Sequence, residues 1–410
     1  MPDTEQLREN YGFVTKAIAE GEIVSGYAVG FGGVAEALAK MSFGNRIGAE
    51  CQMSESMLFD YAYGSIVVES NKPLDFKNAE LLGRTCEEKT LTINGEKMCL
   101  EMLRKANTER FTTVYPDKGN NNAPMAEYAN EAVRMAKYEG TPVEHPVAYL
   151  PVFPGTNCDY DTARSFRKAG AEITTSVFRN LTANDISDSI AEMKRYIDSC
   201  HIFVLSGGFS AGDEPDGSGK FICSVLGHKD ITEAIHALLD RGGLVLGICN
   251  GFQALVKSGL LPYGRLGMVT AESPTLFRND VNRHISQIVT TRVEAVTSPW
   301  LKGFEAGDLH SIAVSHGEGK FMVSAELAEQ LFRNGQVAFR YCDAEGLPTA
   351  EAPYNPNGSF YAIEGITDPT GRILGKMGHT ERYEENLMKN ISGEKVQNLF
   401  ANAVRYFRGE

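Results

Sequence analysis

The sequence predicts an α/β protein: a mostly parallel sheet with helices on both faces, preceded by a smaller α+β domain. Three observations carry that expectation. From Val147 onward, apolar strand-like runs alternate with amphipathic helical runs, the rhythm of parallel strands joined by crossover helices. Those runs, such as VAYLPVF, IFVLS and LVLGI, are apolar at nearly every position, as strands buried on both faces require. Residues 1–111, by contrast, mix short strand-like and helical stretches around a glycine-rich turn.

In chain order, the spacing of apolar residues predicts a helix from Leu7 to Ala19, the turn GYAVGFGG, and a helix over VAEALAKMSFGN. Strand-like GSIVVES and KTLTINGE follow, then a helix near residues 97–105. Composition changes over residues 112–145, where the polar breaker run DKGNNNAP precedes PMAEYANEAVRMAKYEG, which reads as an exposed helix in an interdomain connector. Residues 146–410 form the third zone. There VAYLPVF leads to a helix over DYDTARSFRKAG, EITTSVF to a helix near residues 185–197, and CHIFVLSGG to a loop and the helix TEAIHALLDRG. LVLGIC leads to FQALVKSG, and FYAIEGITDPTGRILGKMGHTER reads as a hairpin turning at DPTG. Ligands of such sheets gather at the carboxyl ends of the strands, where SGGFSAGDE and GICNG fall.

Bulk properties exclude several classes. The 410 residues are 42% hydrophobic and 23% charged, ordinary for a globular chain of two or three domains. A net charge of −13, with no local Lys/Arg cluster, argues against nucleic-acid and anionic-membrane partners. No apolar run approaches the roughly 20 residues that span a bilayer, and MPDTEQLRENYGF lacks a basic-then-apolar leader. Eight cysteines, scattered singly without CxxC or Cys/His ligand spacing, fit reduced thiols with no metal site; a cytoplasmic location is expected.

The chemistry centres on LVLGICNGFQ. An apolar strand, G-x-C-x-G and a helix form a nucleophile elbow, with Gly247 and Gly251 giving the room a sharp turn needs around Cys249. The helix N-terminus is expected to lower the Cys249 thiol pKa and favour the thiolate. Cys158 in PGTNCD lacks flanking glycines and reads as structural, like the other six cysteines. A cysteine nucleophile needs a base, an orienting carboxylate and an oxyanion hole. Two histidines have a glutamate two residues on, His316 with Glu318 in SHGEG and His379 with Glu381 in GHTER; spacing leaves both open. His379 is the better fit, because it ends a strand-like hairpin while Gly317 and Gly319 give the other segment the look of a mobile loop. The backbone amides of Gly208 and Asn250 are the expected oxyanion donors.

Together these residues resemble the class I (triad-type) glutamine amidotransferases, most closely the glutaminase domain of the phosphoribosylformylglycinamidine (FGAM) synthases. The resemblance runs from about Pro146 to the C-terminus on VFPGTNCDYDTARSFRKAGAE, LSGGFSAGDE, GICNGFQ, SHGEG, NPNGS and GHTER, in that order. It implies a flavodoxin-like fold and a triad of Cys249, His379 and Glu381, and returns His316 to a loop near the pocket. Gln253, Phe209, His316 and Asn355 are implied substrate contacts. A proline usually stands on each side of the catalytic histidine in this family, whereas Gly378 and Thr380 stand here.

Residues 1–111 resemble the C-terminal subdomain of the synthetase half of the same enzymes, shared with aminoimidazole ribonucleotide synthetase, on VSGYAVGFGGVAEALAKMSFGNRIG and GSIVVES. The ATP-using copies carry acids around the double glycine; VGFGGV has none before Gly32 and Gly33, which favours a tight turn over a phosphate cradle. The resemblance thus implies a chain that hydrolyses glutamine to glutamate and ammonia and delivers the ammonia to a synthetase partner. That partner, encoded upstream or separately, would hold the ATP and Mg2+ that convert formylglycinamide ribonucleotide to its amidine in purine biosynthesis; the glutaminase step needs no cofactor. A γ-glutamyl hydrolase-like enzyme and a non-catalytic assembly module are the rival readings.

Overall fold

The structure, a computed structural model, describes residues 3–112, 119, 122–132, 135–212 and 217–410. Contacts divide the chain into two compact units, Met1–Pro116 and Asp117–Glu410.

The first unit is α+β. Helices Thr4–Ala19, Gly33–Phe43 and Leu100–Glu109 accompany an antiparallel pair, Ile23–Ala28 with Ile66–Ser70, and a sheet ordered Gly83–Cys86, Gly48–Cys51, Thr90–Ile93, Glu96–Cys99. The segment expected to be helical from residue 97 pairs as a strand to Cys99 and turns helical only at Leu100. GFGG is a helix-start turn. Gly33 has φ +67°, and a Cβ there would lie 2.4 Å from the Leu58 carbonyl oxygen. The Gly32 amide donates to Glu36 Oε2 at 2.9 Å, so the helix's own carboxylate occupies the place where a phosphate would bind.

In the second unit, the strands of the main sheet are β1 (Val147–Val152), β2 (Glu172–Val177), β3 (Ile202–Leu205), β4 (Leu244–Ile248), β5 (Ile285–Val293), β6 (Leu309–His316), β7 (Val337–Cys342), β8 (Ile363–Thr367) and β9 (Ile373–Lys376). The helices used below are α1 (Asp159–Ala169), α2 (Ala183–Ser199), α3 (Lys229–Asp240), α4 (Asn250–Ser258) and α5 (Leu399–Arg408). Among the described residues the sheet runs β6-β5-β7-β8-β9-β4-β3-β1-β2. The half from β9 to β2 is parallel and the half from β6 to β9 antiparallel. The hairpin β8–β9 joins the halves, turning at Asp368–Gly371, where the Gly371 amide donates to the Asp368 carbonyl. β3 and β4 are buried at every position, and α2, α3, α4 and α5 each lay an apolar face on the sheet's core.

The connector carries no helix among its described residues. PMAEYANEAVRMAKYEG runs irregularly along the second unit, with residues 133–134 outside the described set, as are residues 117, 118, 120 and 121 of DKGNNNAP. The Tyr361 amide donates to the Pro124 carbonyl, Glu131 to Arg333 and Val143 to Phe407. Tyr128 packs on Phe332 and Tyr361, and Tyr138 on Tyr406 and Phe407. The irregular strap seats both tyrosines against the core cluster of this unit. Two tertiary anchors override local propensity.

Candidate active site

The strand-helix turn between β4 and α4 holds Cys249 at φ +53° and ψ −105°, outside the ordinary regions for a residue with a Cβ. Both glycines of the elbow are sterically required. A Cβ on Gly251 would lie 2.0 Å from the Leu205 carbonyl oxygen, and one on Gly247 would lie 2.8 Å from the Gly251 backbone. The Cys249 amide donates to the Lys376 carbonyl at 2.8 Å, tying the elbow to β9, and its thiol lies 3.6 Å from the Ser315 carbonyl of β6.

His379 follows β9 and is fixed by its own amide, which donates to Ala313 of β6 at 2.8 Å. Its Nδ1 and Glu381 Oε1 are 2.6 Å apart, both residues buried. That bond sets Nδ1–H as the donor and leaves Nε2, a buried atom with no partner, as the basic face of the ring. Burial pushes the Glu381 carboxyl up, but the His379 charge and hydrogen bond, a backbone amide and Arg382 outweigh it and hold it below the usual carboxylate value. A Cβ on Gly207 would sit 2.8 Å from His379 Cε1, 3.2 Å from Cys158 Sγ and 3.4 Å from Cys249 Cβ, so three chemically active side chains crowd around one bare backbone position.

The thiol is not the low-pKa group expected at a helix N-terminus. Burial pushes Cys249 up to about 12, reinforced by Cys158 and Glu381; Arg382 and the Asn250 amide pull the other way and lose. Desolvation outweighs the partial charge of the helix end, so the resting side chain is a neutral thiol.

The alternative histidine is engaged otherwise. His316 ends β6 and Glu318 begins the strand Glu318–Met322 after the single residue Gly317, so SHGEG is a junction between consecutive strands and not a mobile loop. Glu318 Oε2 accepts from the Ser218 amide at 2.8 Å, while the His316 ring meets Asn357 Nδ2 at 3.0 Å. Burial, then His379 and His284, push His316 down to about 3, which keeps it neutral. NPNGS forms the clamp behind it: Asn355 Oδ1 and Asn357 Oδ1 both accept from the Ser359 amide, and Asn357 Nδ2 also donates to the Gly319 carbonyl and Tyr341. Asn355 thus spends its side chain inside its own loop, with Nδ2 on the Ser359 carbonyl.

Gln253 is likewise committed, bonded to Asn250 Nδ2 at 3.0 Å and donating to the Glu318 carbonyl at 2.5 Å. Phe209 is 43% exposed, its ring 6.1 Å from that of His284, and so stands at the mouth of the site. Gly208 has φ +151° and bridges Thr156; the bonds of that bridge use the amides of Phe209 and Asn157. Asn250 Oδ1 accepts from Ser210, holding this loop against the start of α4. Residues 213–214 of SGGFSAGDE lie outside the described residues.

Sequence reasoning missed Cys158. Its thiol approaches Asn157 Oδ1 at 3.1 Å and His379 Nδ1 at 3.8 Å, and accepts from Arg382 Nη2 at 3.2 Å. Burial, then Glu381, push it up to about 11. The available signal was positional, because PGTNCD follows the carboxyl end of β1, where ligands of such sheets gather. Donor atoms of Cys158, His379 and Glu381 lie within 4.8 Å of one another. The 2.6 Å His379–Glu381 separation is shorter than the ~3.3 Å between two ligands of one tetrahedral zinc ion and fits a hydrogen bond.

Comparison with known proteins bears on most of this unit. Residues 145–407 match the CobB/CobQ-like glutamine amidotransferase domain. Phosphoribosylformylglycinamidine synthase subunit PurQ of Gloeobacter violaceus is 32% identical over 255 residues, covering 62% of this chain and 96% of that protein. The subunit of the same name from Chlorobaculum parvum is 36% identical over 253 residues, with 61% and 88% covered. Among solved structures, PurLQS from Thermotoga maritima is similar at 27% identity and a TM-score of 0.47, covering 64% of this chain and 99% of that one.

Proposed function

The chain belongs to the CobB/CobQ-like glutamine amidotransferase family, in the branch of phosphoribosylformylglycinamidine synthase subunit PurQ, and on that premise we propose that Cys249, His379 and Glu381 hydrolyse glutamine as a triad. The observation that carries the reading is the convergence on Gly207. The elbow cysteine and the histidine touch the same point, and the histidine's other nitrogen is held by a buried carboxylate.

Each group has a defined task. With its pKa near 12, the Cys249 thiol must give up its proton as it attacks the glutamine side-chain carbonyl, and His379 Nε2 takes that proton. The tetrahedral oxyanion meets the amides of Gly208 and Asn250. His379 returns the proton to the departing ammonia, leaving a γ-glutamyl thioester. A water molecule then loses a proton to His379 and attacks the thioester; glutamate leaves and the thiol is restored. Glu381 keeps Nδ1 protonated throughout and stabilises the imidazolium. Phe209, at the mouth, is where the glutamine backbone would lie, while Gln253, His316 and Asn355 shape the pocket from behind through the bonds they already make.

The ammonia is consumed by a synthetase partner, in the cytoplasm, for the ATP- and Mg2+-dependent amination of formylglycinamide ribonucleotide. The first unit is the synthetase-like piece of that assembly, with its GFGG turn closed by Glu36 and serving structure. No described helix is long and apolar enough to cross a membrane. The test is mass spectrometry of the chain with glutamine and a partner synthetase. A γ-glutamyl adduct on Cys249 and an amidine product are expected. Glutamine hydrolysis that persists in Cys249→Ala would sink the assignment.

A further inference from the structure

Beneath the turn that carries His379 lies an ion pair with no exposure to solvent. Lys376 Nζ and Glu364 Oε1 are 3.4 Å apart, and both side chains are 0% exposed. Fully buried pairs are weak stabilisers, since desolvating two charges offsets most of their attraction and an apolar pair of similar volume often serves as well. This pair also bonds the residues on either side of the histidine. Lys376 Nζ donates to the Gly378 carbonyl at 2.9 Å and to Thr380 Oγ1 at 3.2 Å. Glu364 Oε1 accepts from the Gly378 amide at 2.5 Å, and Thr380 Oγ1 donates to Gln397 Oε1 at 2.6 Å. Both neighbours of His379 are therefore gripped from below. The main chain of Lys376 meanwhile holds the other half of the site, because its carbonyl accepts from the Cys249 amide at 2.8 Å.

Gly378 fits the same account. A Cβ there would lie 2.7 Å from Ile312 Cγ2, 2.8 Å from Glu364 Oε1 and 2.9 Å from Lys376 Nζ, so the space a side chain would need is filled by the pair itself. A glycine that would otherwise leave the turn loose is the residue that lets the pair reach the backbone.

We propose that the buried Lys376–Glu364 pair is a positioning device for the reaction: through Gly378 and Thr380 it fixes His379 against Cys249. Lys376 and Glu364 do not touch the substrate; they act through the histidine. The inference rests on the triad reading above, and the experiment separates the two. The probe is 6-diazo-5-oxo-norleucine, a glutamine analogue that alkylates amidotransferase cysteines, used on the full 410-residue chain with the labelled residue identified by mass spectrometry. The variant is Lys376→Met/Glu364→Leu, which removes both charges together and leaves neither unpaired. It is expected to keep its circular dichroism spectrum and a cooperative melt, at a temperature lowered by the buried Gly378 amide and carbonyl that lose their partners. Its maximal inactivation rate is expected to fall about 10- to 100-fold, the cost of an ångström-scale misplacement, while half-saturation moves less than about threefold. An unchanged rate in the folded double variant, or a shift in half-saturation alone, overturns the device. If the double variant does not fold, Thr380→Val decides: it removes one grip and keeps the shape, and an unchanged rate there overturns the proposal equally. Labelling of the wild-type chain at a cysteine other than Cys249 overturns the triad reading instead.

Discussion

Cys249 is held at φ +53° by its neighbours and not by its own preference, a strain worth about 1–3 kcal/mol that the surrounding β4–α4 turn must supply. Its thiol is also buried and pushed up to about 12, so reactivity is expected only when a base removes the proton during attack. The sign is testable with iodoacetamide, which needs a thiolate but does not bind like glutamine. A raised thiol pKa means labelling of Cys249 should climb about tenfold per pH unit from pH 6 to 9 without levelling, because at pH 9 only about a thousandth is ionised. A plateau near neutrality would show a thiolate–imidazolium pair in the resting site. Glu381→Gln keeps the shape of the carboxylate but can present the wrong hydrogen-bonding group to His379 Nδ1. Glutamine turnover should drop about 10²- to 10⁴-fold with little change in KM, as measured by glutamate release.

At the level of elements, the site is an intersection of four chain segments. The end of β4 brings the cysteine, the end of β9 the histidine, the loop after β3 the glycines, and the loop after β1 Cys158. Their closeness depends on small residues where backbones nearly touch. Gly251 is the clearest case, since an added Cβ would lie 2.0 Å from the Leu205 carbonyl oxygen and 2.8 Å from Leu205 Cβ, neither the far end of a flexible side chain. Gly251→Ala must therefore push α4 away from β3. We expect a melting temperature several degrees lower and loss of Cys249 labelling by glutamine analogues, in contrast with Gly317→Ala, which meets nothing within 4 Å. Retention of wild-type stability in Gly251→Ala would refute this view of the elbow.

Over the whole second unit, the strap before β1 is part of the fold. Glu127 reaches the buried Arg340 at 3.2 Å, and Tyr128 packs, tilted, against Phe332 and Tyr361. Because Glu127 itself is largely exposed, the tyrosine contacts should matter more than the ion pair. Tyr128→Ala is expected to destabilise the unit by about 1–3 kcal/mol and Glu127→Ala by well under half of that, read from urea midpoints of the full chain. Equal effects would show that the strap is held by charge.

Sequence by itself determined whatever depends on neighbours along the chain. The alternation of β1, α1, β2 and α2, the hairpin turning at Asp368–Gly371, and the glycines around Cys249 are local patterns, and each was legible because local sterics and periodicity produce them. The order of motifs also pointed to glutamine chemistry, through resemblance. Tertiary structure alone decided what depends on contacts across the sheet. Spacing left His316 and His379 both open and only the resemblance named His379; the geometry that distinguishes them, Glu318 bonded to Ser218 and Glu381 to His379, is tertiary. Cys158 lies 221 positions from His379, and nothing in its neighbours announces the contact. The connector's helical pattern yielded to the contacts of Tyr128 and Tyr138 with the core. The pKa of Cys249 followed burial, a property no stretch of sequence carries, and burial reversed the sign that the helix terminus alone would give.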